Sequence, residues 1–126
     1  MTQILSWSFN AGAPSGVGVN TSGSASVDAV TSAAITLDAN MQAPEDLALQ
    51  IDDVGKVAFL VLTSSLTGSE VEVKADGAAV TKLGGPLVLF GDAVKLFAGN
   101  LGKLSIQNKS ADKKAEIAIL LGLRLI

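Results

Sequence analysis

The feature that most constrains the fold is the alternation of apolar residues at the C-terminal end of the sequence. From Ile117 to Leu125 every second residue is apolar, which is the period of a β-strand with one buried face. The intervening positions, 116 to 126, are largely apolar as well, so this strand needs a partner on both faces. A polar segment, Asn108 to Lys114, separates it from an earlier alternating run that begins at Lys103. We interpret the two runs as a hairpin that closes a core.

A second strand signal, KVAFLVLTS from Lys56 to Ser64, is apolar on both faces. One face carries Val57, Phe59 and Val61, and the other carries Ala58, Leu60 and Leu62. An exposed strand of this kind would pair with other chains, so it belongs at the centre of a sandwich or at a subunit interface. The C-terminal face with Ala118, Leu120 and Ile126 resembles the face with Leu60 in being apolar where water was expected.

The remaining segments favour further short strands separated by turns. Val71 and Val73 alternate with charged residues and precede the turn dipeptide Asp76-Gly77. A helix over Asp28 to Met41 competes with a strand there, because the segment is rich in alanine. The segment from Asp92 to Asn100 could form either a strand or a brief helix, and we expect a strand. The sequence thus predicts an all-β, single-domain antiparallel β-sandwich with an extended N-terminal arm.

The N-terminal segment, residues 1–28, differs from the sandwich domain predicted for residues 29–126. Residues 4–9 alternate as a short strand, and the Gly/Ser/Ala-rich stretch that follows is either a flexible connector or ordered only against a partner. Trp7 and Phe9 either anchor this strand in the core or dock it onto a neighbour.

The sequence lacks the residues that most enzymatic and metal chemistry requires. It contains no Cys and no His, so thiolate nucleophiles, Cys-based metal sites and histidine general bases are excluded. The densest acidic cluster, Glu45, Asp46, Asp52 and Asp53, does not have the spacing of a calcium-binding loop. We therefore predict no catalytic residue, no cofactor and no metal site.

Charge and hydropathy also restrict the partners. With 9 basic and 12 acidic residues and 4% aromatic residues, the chain is poorly suited to nucleic acid. Its longest apolar candidate, Ala115 to Ile126, is too short to span a membrane. The first residues lack the basic region of a secretory signal, so we expect synthesis in the cytoplasm. Yet 48% of the residues are hydrophobic and only 17% are charged, where about 25% is usual, so much apolar surface needs covering, either by the fold or by a neighbour.

Four segments together resemble the small virion proteins of tailed double-stranded DNA bacteriophages. They are IDDVGKVAFLVLTSS (51–65), SEVEVKADG (69–77), LGGPLVLFGD (83–92) and GKLSIQNKSADKKAEIAILLG (102–122), and the similarity covers about three-quarters of the chain. The resemblance implies an auxiliary capsid protein, a cement or decoration protein of β-sandwich or jelly-roll fold. Such proteins are commonly trimeric and bind the assembled shell.

We therefore expect a non-enzymatic virion structural protein on the capsid surface, a homo-oligomer with a trimer favoured, which binds the phage major capsid protein. The alternatives are a tail or head-fibre base component and a carbohydrate- or Ca²⁺-binding β-sandwich module. The predicted interface residues are Trp7, Phe9, Ala118, Leu120, Arg124 and Ile126.

Overall fold

In a computed structural model, the chain forms a β-sandwich with an N-terminal two-stranded ribbon. The structure describes residues 3–49, 51, 53–66, 68–97 and 99–124. Within these residues the chain forms the following ten strands: β1 Gln3–Gly12, β2 Gly18–Val27, β3 Ala29–Leu37, β4 Glu45–Ala48, β5 Val57–Ser64, β6 Val71–Ala75, β7 Thr81–Lys82, β8 Leu87–Phe90, β9 Lys103–Asn108 and β10 Ala115–Leu123.

Strands β3 to β10 have the order of an eight-stranded jelly roll. One sheet has the order β3-β10-β5-β8 and is called here the first sheet; the second sheet has the order β4-β9-β6-β7. Every pair within them is antiparallel. The chain crosses between the sheets at each connection except β6 to β7. The predicted fold class is confirmed.

The core lies between the two sheets and is aliphatic. Each strand contributes every second side chain, as the period of two requires. In β6, for example, Val71 and Val73 are buried while Lys74 is exposed, so the predicted single wet face is confirmed. The largest fully buried side chains of the core include Leu37, Leu60, Leu62, Leu101, Leu104, Ile106, Ile117 and Leu121.

The C-terminal pair is not a hairpin. Its strands are present as predicted, but β9 pairs with β4 and β6 in the second sheet, and β10 pairs with β3 and β5 in the first sheet. The segment between them passes from one sheet to the other around buried Asn108. Its side-chain Nδ2 donates to the carbonyl oxygens of Asp38 (3.2 Å) and Lys113 (2.7 Å), and its Oδ1 accepts from the Ser110 N–H (2.9 Å).

The orientation of β5 also differs from the sequence interpretation. Leu60 and Leu62 face the core, and Phe59 and Val61 face outward. Periodicity separates the two faces of a strand but does not say which one meets the other sheet. Leu60 is therefore not a counterpart of outward-facing Leu120, although both are apolar.

The structure settles the secondary structure of two further segments for which both a helix and a strand had been considered. Residues 29–37 form strand β3, so the competing helix is wrong there. The expected strand at 92–100 is wrong, because a 3-10 turn at Gly91–Ala93 leads into one helical turn, α1, Val94–Phe97. Residues two apart on a helix lie about 200° apart around its axis. Accordingly Val94 is buried while Leu96 is 87% exposed.

Candidate interaction surface

The ribbon formed by β1 and β2 has one apolar face and one polar face. Its two strands pair over their whole length, from Gln3 opposite Val27 to Gly12 opposite Gly18. Directly opposed residues share a face, so the register assigns each side chain. The apolar face carries Leu5, Trp7, Phe9, Ala11, Val19, Thr21, Gly23, Ala25 and Val27, with Gln3 at its end opposite Val27. The opposite face carries Ile4, Ser6, Ser8, Asn10, Asn20, Ser22, Ser24 and Ser26. The Gly/Ser-rich segment, for which a flexible connector was one interpretation, thus contributes strand β2.

The base of the ribbon docks on the outer side of the first sheet through an aromatic stack. The rings of Trp7 and Phe90 are stacked, with centroids 4.4 Å apart and planes 25° apart. Gly23 lies opposite Trp7, and a β-carbon there would lie 2.7 Å from the indole ring. Phe59 in turn covers Gly122, where a β-carbon would overlap the Phe59 ring. Two glycines therefore allow this close packing of rings on backbone.

The ribbon runs outward across the first sheet and continues beyond it. Near its base, Val27 packs against Phe59 of central strand β5, and the Asp28 N–H donates to the Leu123 carbonyl (2.8 Å). About four residues further along, Trp7 is already on Phe90 of edge strand β8. Past that point, the apolar face of the ribbon is uncovered.

The exposed end of the ribbon carries large apolar side chains. Phe9 is 51% exposed, Val19 is 59% exposed and Val17, in the connecting loop, is 73% exposed. Residues 1–27 contain no Asp, Glu, Lys or Arg. We call Phe9, Ala11, Val17 and Val19 the ribbon tip.

The outer side of the first sheet is only partly covered by the ribbon. In the paired strands that the structure describes, Glu116 is the one charged side chain at an outward position. Small and apolar residues surround a shallow depression of about 340 Å³. We call these outward residues the open patch: Ser32, Ala34, Val61, Thr63, Ala118 and Leu120.

The outer side of the second sheet has the opposite character. The Ser105 hydroxyl donates to Asp46 at 2.6 Å, and Lys103 Nζ lies 3.8 Å from the other oxygen of the same carboxylate. Lys109 Nζ lies 3.7 Å from Glu72. One sheet therefore presents a solvated, charged face, while the other presents a nearly uncharged one.

The structure brings some of the predicted interface residues together. Ala118 and Leu120 lie side by side at exposed, outward positions of the open patch, and Leu120 is 36% exposed. Phe9 is exposed on the ribbon tip, so it is not a core anchor. Trp7 is half-buried against its own chain by the Phe90 stack, which favours its interpretation as the anchor of the N-terminal strand.

Of the last two predicted interface residues, Arg124 belongs to neither the ribbon tip nor the open patch. Arg124 is exposed just after β10, and its backbone N–H donates a hydrogen bond to the backbone carbonyl of Lys56 (2.8 Å). Ile126 lies outside the described residues. Sequence reasoning missed β2 and the β3 side of the open patch, because their small residues give a weak alternation. It also did not assign Val17, which lies in the loop before β2, to an interface. The uncharged first 27 residues were the available signal.

The acidic cluster has structural partners. Asp53 accepts a hydrogen bond from the Gly55 N–H at 2.8 Å and so caps the 3-10 turn Val54–Lys56. Asp46 is engaged by Ser105 and Lys103, and Asp52 lies outside the described residues. Across the part of the chain that the structure describes, no group of three or more acidic, His or Cys side chains is arranged to hold a metal ion.

Among the described residues, no helix is long and apolar enough to cross a bilayer. The candidate site of this protein is thus a pair of uncharged surfaces, the ribbon tip and the open patch. Comparisons of the chain with protein-family models, with curated proteins and with solved structures gave no match.

Proposed function

We propose that this protein is a non-enzymatic virion structural protein that decorates the assembled capsid shell of a tailed phage. The observation that carries the proposal is the nearly uncharged side of the first sheet, together with the projecting ribbon tip. Exposed apolar surface of this kind is typical of protein interaction sites. Viral capsid proteins commonly have a jelly-roll fold, as do lectin domains and cupins. The fold therefore supports the proposal by analogy, and the surfaces carry it.

In the proposed mechanism, the protein bridges neighbouring subunits of the major capsid protein. The bridge adds buried area across subunit boundaries, which opposes the outward pressure of packaged DNA. A homo-oligomer, with a trimer favoured, would present several copies of the contact at once. Joining weak contacts in this way raises the overall affinity, because the later binding events are intramolecular.

Co-sedimentation tests the proposal directly. Purified protein is mixed with capsids assembled from the major capsid protein of the same genome, and the bound amount is measured as the protein concentration is raised. We expect saturable binding with a fixed ratio of copies to shell subunits. A protein that stays in the supernatant at every concentration would refute the decoration proposal.

A tail or head-fibre base component is the second candidate, because a projecting, uncharged ribbon serves equally well to attach a fibre. Electron microscopy of virions that carry a labelled version of the protein separates the two locations. A carbohydrate-binding module has less support, because Trp7, the one Trp of the chain, is half-buried in the stack with Phe90.

A further inference from the structure

The ribbon tip and the open patch are both uncovered. Each continues one side of the contact that the base of the ribbon makes with the first sheet. We infer that the ribbon tip of one copy docks on the open patch of a second copy. The inference deepens the homo-oligomer part of the proposed function by naming both contacting surfaces. It does not depend on which shell or tail protein the oligomer binds.

The first argument is continuity with a contact that already exists within the chain. The base of the ribbon packs its apolar face on the outer side of the first sheet, through Leu5 and Trp7. The ribbon tip continues the same face, and the open patch continues the same side of the sheet. Leu120 joins the covered and open parts, since it borders both the crevice under Leu5 and the depression beside Ala118. The second copy would therefore extend a packing that the chain already uses.

The second argument is that the ribbon tip cannot reach the open patch of its own chain. The ribbon leaves the first sheet over Phe90 on edge strand β8. The open patch is centred on β3 and β10, which lie on the other side of β5. Each residue beyond Trp7 carries the ribbon about 3.3 Å further outward. The occupant of the open patch therefore comes from another molecule.

The third argument is the match of apolar character and charge. The shallow depression of about 340 Å³ in the open patch is lined by small and apolar side chains, against which the ring of Phe9 can pack. Neither surface carries a charged side chain, so the contact requires no buried charge. A copy of this chain presents both halves of the match, and no other partner needs to be assumed.

The proposed contact is heterologous, because it joins two different surfaces. Each copy donates one ribbon tip and offers one open patch. All contacts are satisfied only when the assembly closes, either by reciprocal exchange between two copies or as a ring. We therefore expect a closed oligomer of fixed size and not an open-ended chain of copies.

Cross-linking tests the contact, because the chain has no cysteine and an introduced pair reports cleanly. Ala11→Cys protein is mixed with isotope-labelled Ala118→Cys protein under mild oxidation, and disulfide-linked peptides are identified by mass spectrometry. Ala11 lies on the ribbon tip, and its substitution leaves the Phe9 ring in place. The control replaces Ala11→Cys by Asn10→Cys, which is adjacent in sequence but lies on the polar face of the ribbon. We expect the mixed disulfide with Ala11→Cys at least about tenfold above the control. Equal yields from the two would overturn the inference, as would an intramolecular disulfide in a protein that carries both Ala11→Cys and Ala118→Cys.

Sedimentation equilibrium provides an independent measurement on the purified protein without capsids. Leu120→Lys places a charge in the open patch, and the matched control Leu96→Lys places one on exposed α1. We expect the first to weaken self-association at least about tenfold and the second to leave it unchanged, with both variants folded by circular dichroism. A wild type that is monomeric at all concentrations refutes the inference. Loss of capsid binding with self-association intact would instead refute only the decoration proposal.

Discussion

Gly122 occupies a position where a single methyl group should be costly. It lies on central strand β10, opposite Phe59 of β5, with the ring lying over its α-carbon. A β-carbon at this position would lie 2.7 Å from the ring Cδ1 and 2.8 Å from Cζ of Phe59. Phe59 is 4% exposed and packs in one apolar cluster with Val27 and Phe90. Gly122→Ala therefore forces an overlap inside a packed cluster.

The expected cost follows from two opposing terms. Overpacking a well-packed site typically costs about 1–3 kcal/mol. Replacing glycine by alanine also lowers the entropy of the unfolded chain, which stabilises the fold by about 0.4–1 kcal/mol. The balance is a loss of about 1–2 kcal/mol in the free energy of unfolding, or roughly 4–8 °C in melting temperature for a domain of this size.

Urea unfolding followed by circular dichroism measures this loss. Gly85→Ala is the matched control, because no atom lies within 4 Å of the β-carbon that it adds, and we expect it to be neutral or slightly stabilising. Phe59→Leu removes the overlapping ring atoms and completes a double-mutant cycle. The double variant should be more stable than the sum of the single losses predicts, by about 0.5–3 kcal/mol. A stable Gly122→Ala variant, or a purely additive cycle, would refute the packing of Phe59 on Gly122.

Three further substitutions test the core, the crossover between the sheets and a turn. Asn108→Ala removes the side chain that joins Asp38, Ser110 and Lys113 through three hydrogen bonds. At about 1 kcal/mol per hydrogen bond, the free energy of unfolding should fall by about 2–4 kcal/mol. A loss below about 0.5 kcal/mol on urea unfolding would contradict this role. Leu60→Ala should cost about 2–5 kcal/mol in the same assay, because the side chain is fully buried between the sheets; a neutral result would mean that Leu60 faces solvent. Gly77→Ala should lower the melting temperature, at a cost of about 1 kcal/mol, because Gly77 has a φ of 76° in the β6–β7 turn; an unchanged melting temperature would exclude the positive φ.

The parts of the fold that sequence reasoning predicted are those with strong local signals. The apolar alternation in β5 and β10 and the half-polar alternation in β6 each identified a strand, because burial between two sheets requires a period of two. The dipeptide Asp76-Gly77 identified a turn, since glycine tolerates the positive φ found there. These signals were sufficient for the fold class.

Other features depend on contacts between distant residues, and local pattern could not specify them. The short polar segment after Asn108 suggested a hairpin, but the buried amide of Asn108 holds the chain in a crossover between two sheets. At Val94, the alternation of apolar residues matched a strand, whereas packing of one turn of helix against the core decided the structure. In β2, the residues opposite Phe9 and Trp7 are Thr21 and Gly23, whose small side chains suggested a linker.

The candidate site shows the same dependence on three-dimensional context. Polar or charged residues alternate with apolar ones in β6 and β9, so the outward sides of these strands are solvated, whereas β3 and β5 contain no charged residue. The topology collects β3, β5, β8 and β10 into one sheet, and this collection produces a nearly uncharged outer surface. The ribbon covers part of that surface with an equally uncharged apolar face and leaves the rest open. An isolated two-stranded hairpin is at best marginally stable in water, so the tip that extends beyond the first sheet gains stability from whatever surface it meets. The same uncharged composition therefore accounts for both the intramolecular docking of the ribbon and the intermolecular docking inferred for its tip.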